Sequence, residues 1–250
     1  MDTSIWIYTL GAVTIVSLIP LVGVLTLGLT KEKLLIIVLP LVGFSVGALL
    51  GDSFFHLLPE AYRNDPQGIE TSVSVIGGLL LFFILEKFLR WRHCHLPTTS
   101  HHPHPLATIN LVGDGIHNLI DGLLIGGAFS VNPQLGVTTT LAVIFHEIPQ
   151  EIGDLGVLLH AGLTLRKALI LNLLSALPAV LGATLSLLLG SLIEGYAPAL
   201  LPITAGGFIY IAGSDLIPEL HHDCDLKTSA VQLLSLLLGL GVMFVLILAE

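Results

Sequence analysis

Charged side chains are scarce in this sequence. Asp, Glu, Lys and Arg make up 11% of its 250 residues, whereas a soluble domain has roughly 25%. Basic residues are the scarcest, with nine Lys and Arg against 18 Asp and Glu, so the chain lacks the basic surface that nucleic-acid binding requires. Its two cysteines, Cys94 and Cys224, indicate no disulfide framework. These absences argue against a soluble domain, a nucleic-acid partner and a disulfide-stapled fold.

Long apolar runs are present instead. Hydrophobic residues make up 54% of the chain, and the mean hydropathy is +0.93. The runs are about 20 residues or longer and lack the two-residue alternation of a membrane barrel, which predicts an all-α membrane protein. No basic segment precedes the first run, so we expect a retained helix rather than a signal peptide. We predict a single transmembrane domain over residues 1–250, with eight spans numbered in chain order: 5–29, 34–61, 71–90, 107–130, 134–160, 167–193, 198–220 and 229–249.

The basic residues alternate across these predicted spans. Only Arg63 lies at a connection on one side of the membrane. The other eight lie at connections on the opposite side: Lys31, Lys33, Lys87, Arg90, Arg92, Arg166, Lys167 and Lys227. Because Lys and Arg accumulate in cytoplasmic loops, that side is predicted to be the cytoplasm, and both termini are predicted to lie outside. The short termini and the lack of a large extra domain favour a bacterial plasma membrane.

Carboxylates lie inside the predicted spans, and no Lys or Arg accompanies them in the same interiors. Each buried charge costs roughly 2.5–3.5 kcal/mol on insertion scales. Such a series is tolerable only if protons, water or bound metal cations neutralise it. The carboxylates that we consider are Asp52, Glu60, Asp114, Asp121, Glu147, Glu151, Asp154, Asp215 and Glu219.

Spans 4 and 5 carry the densest group of metal-ligand side chains. Span 4 contains GDGIHNLIDG, in which His117 and Asp121 share one helix face at spacing i, i+4 and Asp114 lies one turn earlier. Span 5 contains HEIPQEIGD, in which His146 pairs with Gln150 at the same spacing. Glu147 and Glu151 form a second pair beside it, which Asp154 extends. Both histidines lie roughly 15–18 Å into the membrane, near its midplane.

Pro149 lies within the span 5 motif. A proline has no backbone N–H, so it leaves the Phe145 carbonyl without its helical partner. Span 5 can therefore kink beside the group of metal ligands.

Imidazole and carboxylate pairs on two facing helices suit a divalent cation such as Zn²⁺. A cage for Mg²⁺ or Ca²⁺ would favour oxygen ligands alone. A lone intramembrane histidine would more simply form a hydrogen bond between helices. An intramembrane zinc metallopeptidase is an alternative function, although its H-E-x-x-H motif would need a histidine where this chain has Gln150. A membrane metal sensor and a structural membrane protein are further alternatives.

Four motifs together resemble the ZIP (Zrt/Irt-like) family of divalent-metal transporters: HNLIDG, HEIPQEIGD, HLLPEA at 56–61 and DLIPEL at 215–220. The resemblance implies eight helices that carry Zn²⁺, or Fe²⁺, Mn²⁺ or Cd²⁺, toward the cytoplasm. It implies no enzyme activity and no organic cofactor, and it implies a homodimer. The implied primary site comprises His117, Asp121, His146 and Gln150.

The resemblance also implies a second, neighbouring metal site with Asn118 and Glu147, which Asp121 and Gln150 would bridge. Two departures from the family pattern bear on it. Many members have Glu or His where this chain has Gln150, and a carboxylate in span 6 of some members has no counterpart here. We therefore expect one strong site and a weak neighbour, with Glu151 as compensation.

An internal repeat links spans 2 and 7. The segments His56-Leu-Leu-Pro-Glu60 and Asp215-Leu-Ile-Pro-Glu219 share one pattern but run in opposite directions through the membrane. This predicts an inverted repeat of spans 1–3 and 6–8 around spans 4–5. Asp52, His56 and Glu60 would then line the outer entrance, and Asp215 and Glu219 the inner exit.

The connection at about 91–106 is rich in histidine. Such a tract is typical of metal binding, and the alternative is a solvated loop with incidental histidines. Asp114, Asp154 and His160 are candidates for the pathway that leads inward from spans 4 and 5. The candidate loop ligands are His93, Cys94, His95, His101, His102 and His104.

Overall fold

The computed structural model describes residues 3–26, 28, 31–63, 65, 67–91, 106–193, 195–221 and 225–248. Every regular element in this part of the chain is helical, which confirms the all-α class. The α-helices are α1 (Thr3–Ser17), α2 (Lys31–Gly51), α3 (Leu58–Arg63), α4 (Ile69–Trp91), α5 (Leu106–Val131), α6 (Pro133–His160), α7 (Leu165–Ala176), α8 (Pro178–Leu192), α9 (Tyr196–Tyr210), α10 (Ile217–Leu220) and α11 (Leu226–Ile247).

Three irregular helical segments join some of these helices into longer rods. A 3₁₀ segment, Ile19–Thr26, extends α1. Two π-helical segments, Asp52–Leu57 and Ile211–Leu216, join α2 to α3 and α9 to α10. Each π segment starts seven residues before a proline, Pro59 or Pro218. A proline lacks the N–H of a regular helix and collides with the carbonyl four residues earlier, and the wider π turn accommodates both effects.

Six helical rods in the described residues are long and apolar enough to cross a membrane, so the protein is an integral membrane protein. They are Thr3–Leu25, Ile36–Arg63, Ile69–Lys87, Leu165–Leu192, Tyr196–Leu220 and Leu226–Ile247. The eight-span prediction adds α5 and α6. These two helices are 26 and 28 residues long, which exceeds the roughly 20 residues that a bilayer requires, but they contain the polar residues of the predicted metal site.

Helices α5 and α6 are antiparallel neighbours at the centre of the molecule. Asn132 separates them, and its side chain accepts a hydrogen bond from the Leu135 N–H at 2.7 Å, which caps the start of α6. Pro133 occupies the first helical position, where the backbone N–H has no acceptor within the helix, and proline has no N–H. The tight connection places the polar faces of α5 and α6 opposite each other.

The remaining helices pack on this pair or on one another in close crossings. Helix α5 packs extensively on α8, α2 on α11, and α4 on α9, while α6 also contacts α1 and α2. The α5–α8 crossing depends on glycine. A Cβ atom on Gly122 would lie 1.9 Å from the Ala179 carbonyl oxygen, and one on Gly182 would lie 2.0 Å from that of Leu119. Only glycine permits backbones to approach this closely.

The connection between α3 and α4 is organised by Asp65. Its carboxylate accepts hydrogen bonds from the Thr71 N–H at 2.8 Å and the Gly68 N–H at 3.0 Å. These backbone donors hold the pKa of Asp65 below its ordinary value. The ionised side chain thereby supplies acceptors for N–H groups at the start of α4.

Candidate metal site

Two histidines and two carboxylates form a compact group between α5 and α6, which we call the central cluster. His117 and Asp121 lie one turn apart on α5, and His146 and Glu147 are adjacent on α6. One ligand atom from each of the four residues lies within 4.8 Å of the other three. The structure therefore brings together side chains from two helices that are 25 to 30 residues apart in the chain.

The distances within the central cluster match the size of a small divalent cation. His117 Nε2 is 3.2 Å from His146 Nε2 and 3.3 Å from Glu147 Oε1. Asp121 Oδ2 is 3.1 Å from His146 Nε2 and 3.6 Å from His117 Nε2, and Glu147 Oε1 is 3.7 Å from His146 Nε2. A tetrahedral zinc site with bonds of about 2.0–2.1 Å separates its ligand atoms by roughly 3.3 Å. Two nitrogens and two oxygens are thus arranged much as a tetrahedral ion needs them.

Burial makes carboxylates without a partner costly here. The side chains of Asp121, His146 and Glu147 are fully buried, whereas His117 is 19% exposed. Apart from the histidines, no hydrogen-bond donor to Asp121 or Glu147 is found in the described part of the chain. Buried carboxylates need a charged or hydrogen-bonding partner, which either a proton on a histidine or a cation held by all four side chains would supply.

The tautomer of His146 is set by its own helix. His146 Nδ1 lies 3.1 Å from the Ala142 carbonyl oxygen, so the Nδ1–H donates to that carbonyl. The lone pair of the neutral ring is then on Nε2, the nitrogen that faces the other three ligands.

A second group, the carboxylate cluster, lies beside the central cluster. It comprises Asp114, Glu147 and Glu151, whose carboxylate oxygens lie within 4.8 Å of one another, and it shares Glu147 with the central cluster. Asn118 Nδ2 donates to Asp114 Oδ1 at 3.0 Å, and Asn172 Nδ2 donates to Glu151 Oε2 at 2.6 Å. Asn172 belongs to α7, so a third helix takes part. All candidate ligand atoms of the carboxylate cluster are oxygens.

Gln150 and Asp154 lie farther along α6. Both are partly buried, and the described contacts include no hydrogen bond or ion pair between Gln150 and either cluster. The resemblance placed Gln150 among the primary ligands, whereas the structure places Glu147 beside His117, Asp121 and His146.

The residues that we assigned to the outer entrance differ in their surroundings. Asp52 and His56 are buried, and His56 Nε2 donates to the Met243 carbonyl oxygen of α11 at 2.9 Å. Glu60 pairs with Arg63 at 2.5 Å on the same helix. His56 therefore contributes to the packing between helices.

A cavity of about 90 Å³ reaches His117 from the side of α4 and α9. Glu86, Tyr210 and Asp215 also line it, and the Tyr210 hydroxyl donates to Glu86 Oε2. Asp215 and Glu219 are both predicted at the inner exit. Asp215 lines this cavity, whereas Glu219 lies exposed on α10. Sequence reasoning missed Glu86, because a carboxylate beside Lys87 near the end of a span resembles an ordinary solvated helix end.

Some predicted ligands fall outside the described part of the chain. Helix α6 ends at His160. The structure describes the backbone of this residue but not its side chain. The loop residues outside the description are His93, Cys94, His95, His101, His102 and His104.

Comparison with known proteins identifies similar sequences. A family model described as ZIP zinc transporter matches residues 3–108 and 97–247. The chain is 30% identical to the zinc transporter zipt-7.1 of Caenorhabditis briggsae, over 98% of this chain and 80% of that protein. It is 34% identical to the zinc transporter ZIP13 of Danio rerio, over 84% and 76%. It is 30% identical to the zinc transporter YKE4 of Saccharomyces cerevisiae, over 93% and 78%.

Proposed function

The chain belongs to the ZIP zinc transporter family, and from this membership we propose that it carries zinc across a membrane toward the cytoplasm. The observation that carries the proposal is the central cluster, in which the nitrogen–nitrogen and nitrogen–oxygen distances are 3.1 to 3.7 Å. The proposed ligands are His117, Asp121, His146 and Glu147. Zn²⁺ fits best, because it accepts mixed nitrogen and oxygen ligands in a tetrahedron. Fe²⁺, Mn²⁺ and Cd²⁺ remain candidate substrates, since they also accept such ligands.

We propose that the carboxylate cluster is a weaker second station for the ion. Glu147 belongs to both clusters, so one carboxylate can stay in contact with an ion that moves between them. Asp114 and Glu151 would complete the second station, and Asn118 adds an amide. Gln150 is still a candidate ligand, but it would contact the ion only in a conformation of the protein other than this one.

The proposal includes eight spans in which spans 1–3 and 6–8 form an inverted repeat. Pro59 and Pro218 are 159 residues apart, and Gly47 and Gly206 are also 159 residues apart. Both glycines lie at backbone contacts of the same kind. A Cβ atom on Gly47 would lie 2.0 Å from a carbonyl oxygen of α11, and one on Gly206 would lie 2.1 Å from a carbonyl oxygen of α4.

The reciprocal contacts support the same relationship. A Cβ atom on Gly239 would lie 2.1 Å from the Phe44 carbonyl oxygen, and one on Gly78 would lie 2.2 Å from that of Ile203. Phe44 and Ile203 are again 159 residues apart. The crossing of α2 with α11 thus matches the crossing of α9 with α4, as a repeat that pairs span 2 with 7 and span 3 with 8 requires.

The proposed path runs from the outer end of span 2 to the inner end of span 7. Asp52, His56 and Glu60 stand at the outer entrance. The cavity beside His117 leads toward Asp215 and then Glu219. Asp154 and His160 would continue the path along α6, and the histidine-rich loop would receive the ion inside the cell.

The wider arrangement is also proposed. Residues 1–250 form one transmembrane domain with both termini outside, and two copies form a homodimer. The relatives reported above are eukaryotic, so they give no support to the expected bacterial plasma membrane.

The alternative functions are disfavoured. The relatives reported above are named as transporters, and the position of the second histidine in a metallopeptidase motif is occupied by Gln150. A metal sensor would bind zinc without transporting it, so a measurement of zinc flux separates the sensor from the transporter.

Zinc uptake into proteoliposomes that contain a zinc-sensing dye tests the proposal. We expect saturable uptake with the wild-type protein and none with the double variant His117→Ala/Asp121→Ala. The control is Glu70→Ala/His221→Ala, which removes one carboxylate and one imidazole from exposed positions. Binding without flux in the folded wild-type protein would overturn the transport proposal and favour a sensor.

A further inference from the structure

Pro149 leaves one carbonyl of α6 without a donor in its own helix. In a regular helix, the N–H of residue 149 would donate to the carbonyl of Phe145, but proline has no N–H. Phe145 directly precedes His146 and Glu147, two residues of the central cluster. The missing hydrogen bond therefore affects the turn that holds half of the proposed ligands.

Ser45 of α2 supplies the missing donor. Its hydroxyl donates to the Phe145 carbonyl oxygen at 2.5 Å and also lies 2.8 Å from the Leu41 carbonyl oxygen of its own helix. Ser45 is fully buried. The rings of Phe44 and Phe145 meet edge to face at 4.7 Å beside this hydrogen bond. Helix α2 thus contacts α6 at the carbonyl that the proline leaves unpaired.

We propose that Ser45 is a positioning residue for the metal site, whose hydroxyl replaces the hydrogen bond removed by Pro149 and holds the turn of α6 that carries His146 and Glu147. The inference rests on the proposed function. A buried carbonyl without a donor is unfavourable, so we expect loss of the hydroxyl to displace this turn toward another partner. His146 Nδ1 bonds to Ala142 within the same stretch of α6, so we expect this displacement to move the Nε2 ligand as well.

The same hydrogen bond connects α2 with the metal site mechanically. Helix α2 continues into the segment that holds Asp52 and His56, the residues proposed for the outer entrance. A displacement of α2 would therefore reach His146 through one hydrogen bond. Groups that orient metal ligands in this way typically change metal affinity 10- to 100-fold when they are removed.

The test compares Ser45→Ala with Ser45→Thr in the full-length protein in detergent. Binding of Co²⁺, measured by its visible absorption and by zinc competition, reports affinity and ligand geometry together. We expect Ser45→Ala to weaken binding about tenfold and to alter the absorption spectrum. Ser45→Thr retains the hydroxyl, so we expect it to keep the wild-type Co²⁺ affinity and the wild-type absorption spectrum.

A double-mutant cycle with Pro149→Ala isolates the mechanism. Alanine at position 149 restores an N–H that can donate to Phe145. Ser45→Ala is therefore expected to have little further effect in the Pro149→Ala background. An equal effect of Ser45→Ala in both backgrounds would contradict the proposed mechanism. The alanine and threonine variants at position 45 decide the proposal even if Pro149→Ala fails to fold.

Ser53→Ala is the matched control. Ser53 is also buried, and its hydroxyl also lies near a carbonyl of its own helix, Leu49 at 2.8 Å, and one of a neighbouring helix, Ala205 at 3.4 Å. The residue four positions after Ala205 is Ile209, which has a backbone N–H, so the Ala205 carbonyl retains a donor in its own helix. We expect unchanged Co²⁺ binding and an unchanged spectrum.

The outcomes separate this inference from the proposed function. If wild-type protein transports zinc and Ser45→Ala lowers thermal stability alone, with unchanged Co²⁺ affinity and spectrum, Ser45 is structural and the inference is wrong. If wild-type protein shows no zinc flux, the proposed function fails, whatever the Ser45 variants do.

Discussion

Glu147 is the residue on which both clusters depend. Its Oε1 atom lies 3.3 Å from His117 Nε2, and its carboxylate also belongs to the group with Asp114 and Glu151. It is fully buried. An ion in either cluster would therefore lie near this one carboxylate, and we expect loss of its charge to affect binding in both places.

Glu147→Gln is expected to impair zinc binding far more than Gln150→Ala. The first change removes a ligand charge from the central cluster, whereas Gln150 has no described contact with that cluster. We expect a loss of affinity of at least about tenfold for Glu147→Gln and little change for Gln150→Ala. Zinc titration of the purified variants measures both, and the reverse ranking would contradict the ligand assignment.

Asn172→Ala is expected to destabilise the protein. Asn172 Nδ2 is the described hydrogen-bond donor to the buried Glu151 carboxylate, and a buried acceptor without its donor costs about 1–3 kcal/mol of unfolding free energy. Thermal unfolding in detergent measures the loss. In a Glu151→Ala background the same change is expected to cost less, and an equal cost in both backgrounds would show that the hydrogen bond is not its source.

The sequence predicts the ligands of α5 better than those of α6. His117 and Asp121 follow from i, i+4 spacing alone. On α6 the same spacing offers two faces, one with His146 and Gln150 and the other with Glu147. Which face turns toward α5 depends on the rotation of α6 about its axis, and that rotation is set by packing against α1, α2 and α5. Asn172 escaped notice because a lone asparagine carries no local signal.

At the scale of elements, the α5–α8 crossing gives a sharp test. A Cβ atom on Gly122 would lie 1.9 Å from a backbone oxygen, whereas one on Gly115 of the same helix would lie 3.7 Å from its nearest neighbour. Gly122→Ala must separate the two helices, at a cost of about 1–3 kcal/mol or more. Thermal unfolding is expected to show this loss for Gly122→Ala and little change for Gly115→Ala. Equal behaviour of the two variants would contradict the close crossing.

The cavity between α4, α5 and α9 predicts a transport defect without a binding defect. Glu86 lines this cavity with His117 but belongs to neither cluster. Glu86→Gln is therefore expected to lower the maximal zinc flux several-fold and to leave zinc affinity unchanged. Glu70→Gln, at the exposed opposite end of α4, is the control. Normal flux with Glu86→Gln would contradict a role for the Glu86 carboxylate in the route.

The regular helices are largely predictable, and the irregular ones are not. Spans 4 and 5 were expected at 107–130 and 134–160, and the structure has Leu106–Val131 and Pro133–His160. Apolar runs with clear polar ends determine these limits. The π segments before Pro59 and Pro218 were not predicted, because a proline can end, kink or widen a helix, and neighbouring helices decide which occurs.

At the scale of the whole molecule, the placement of basic residues predicts which connections face the cytoplasm. Gln67 lies between spans 2 and 3 on the predicted outer side, whereas Cys94 and Cys224 lie on the predicted inner side. A membrane-impermeant maleimide is expected to label Gln67→Cys in intact cells and to label the native cysteines only after permeabilisation. Labelling of Cys94 or Cys224 in intact cells would reverse the proposed orientation. The mass of the detergent-solubilised protein tests the predicted homodimer.

The central claim is that His117, Asp121, His146 and Glu147 together hold the transported ion. X-ray absorption at the zinc edge, with one equivalent of zinc per protein, measures the ligands directly. The account predicts four nitrogen and oxygen ligands at about 2.0–2.2 Å, two of them with the scattering pattern of imidazole. A sulfur ligand at about 2.3 Å, or a shell without imidazole, would place the ion elsewhere and contradict the claim.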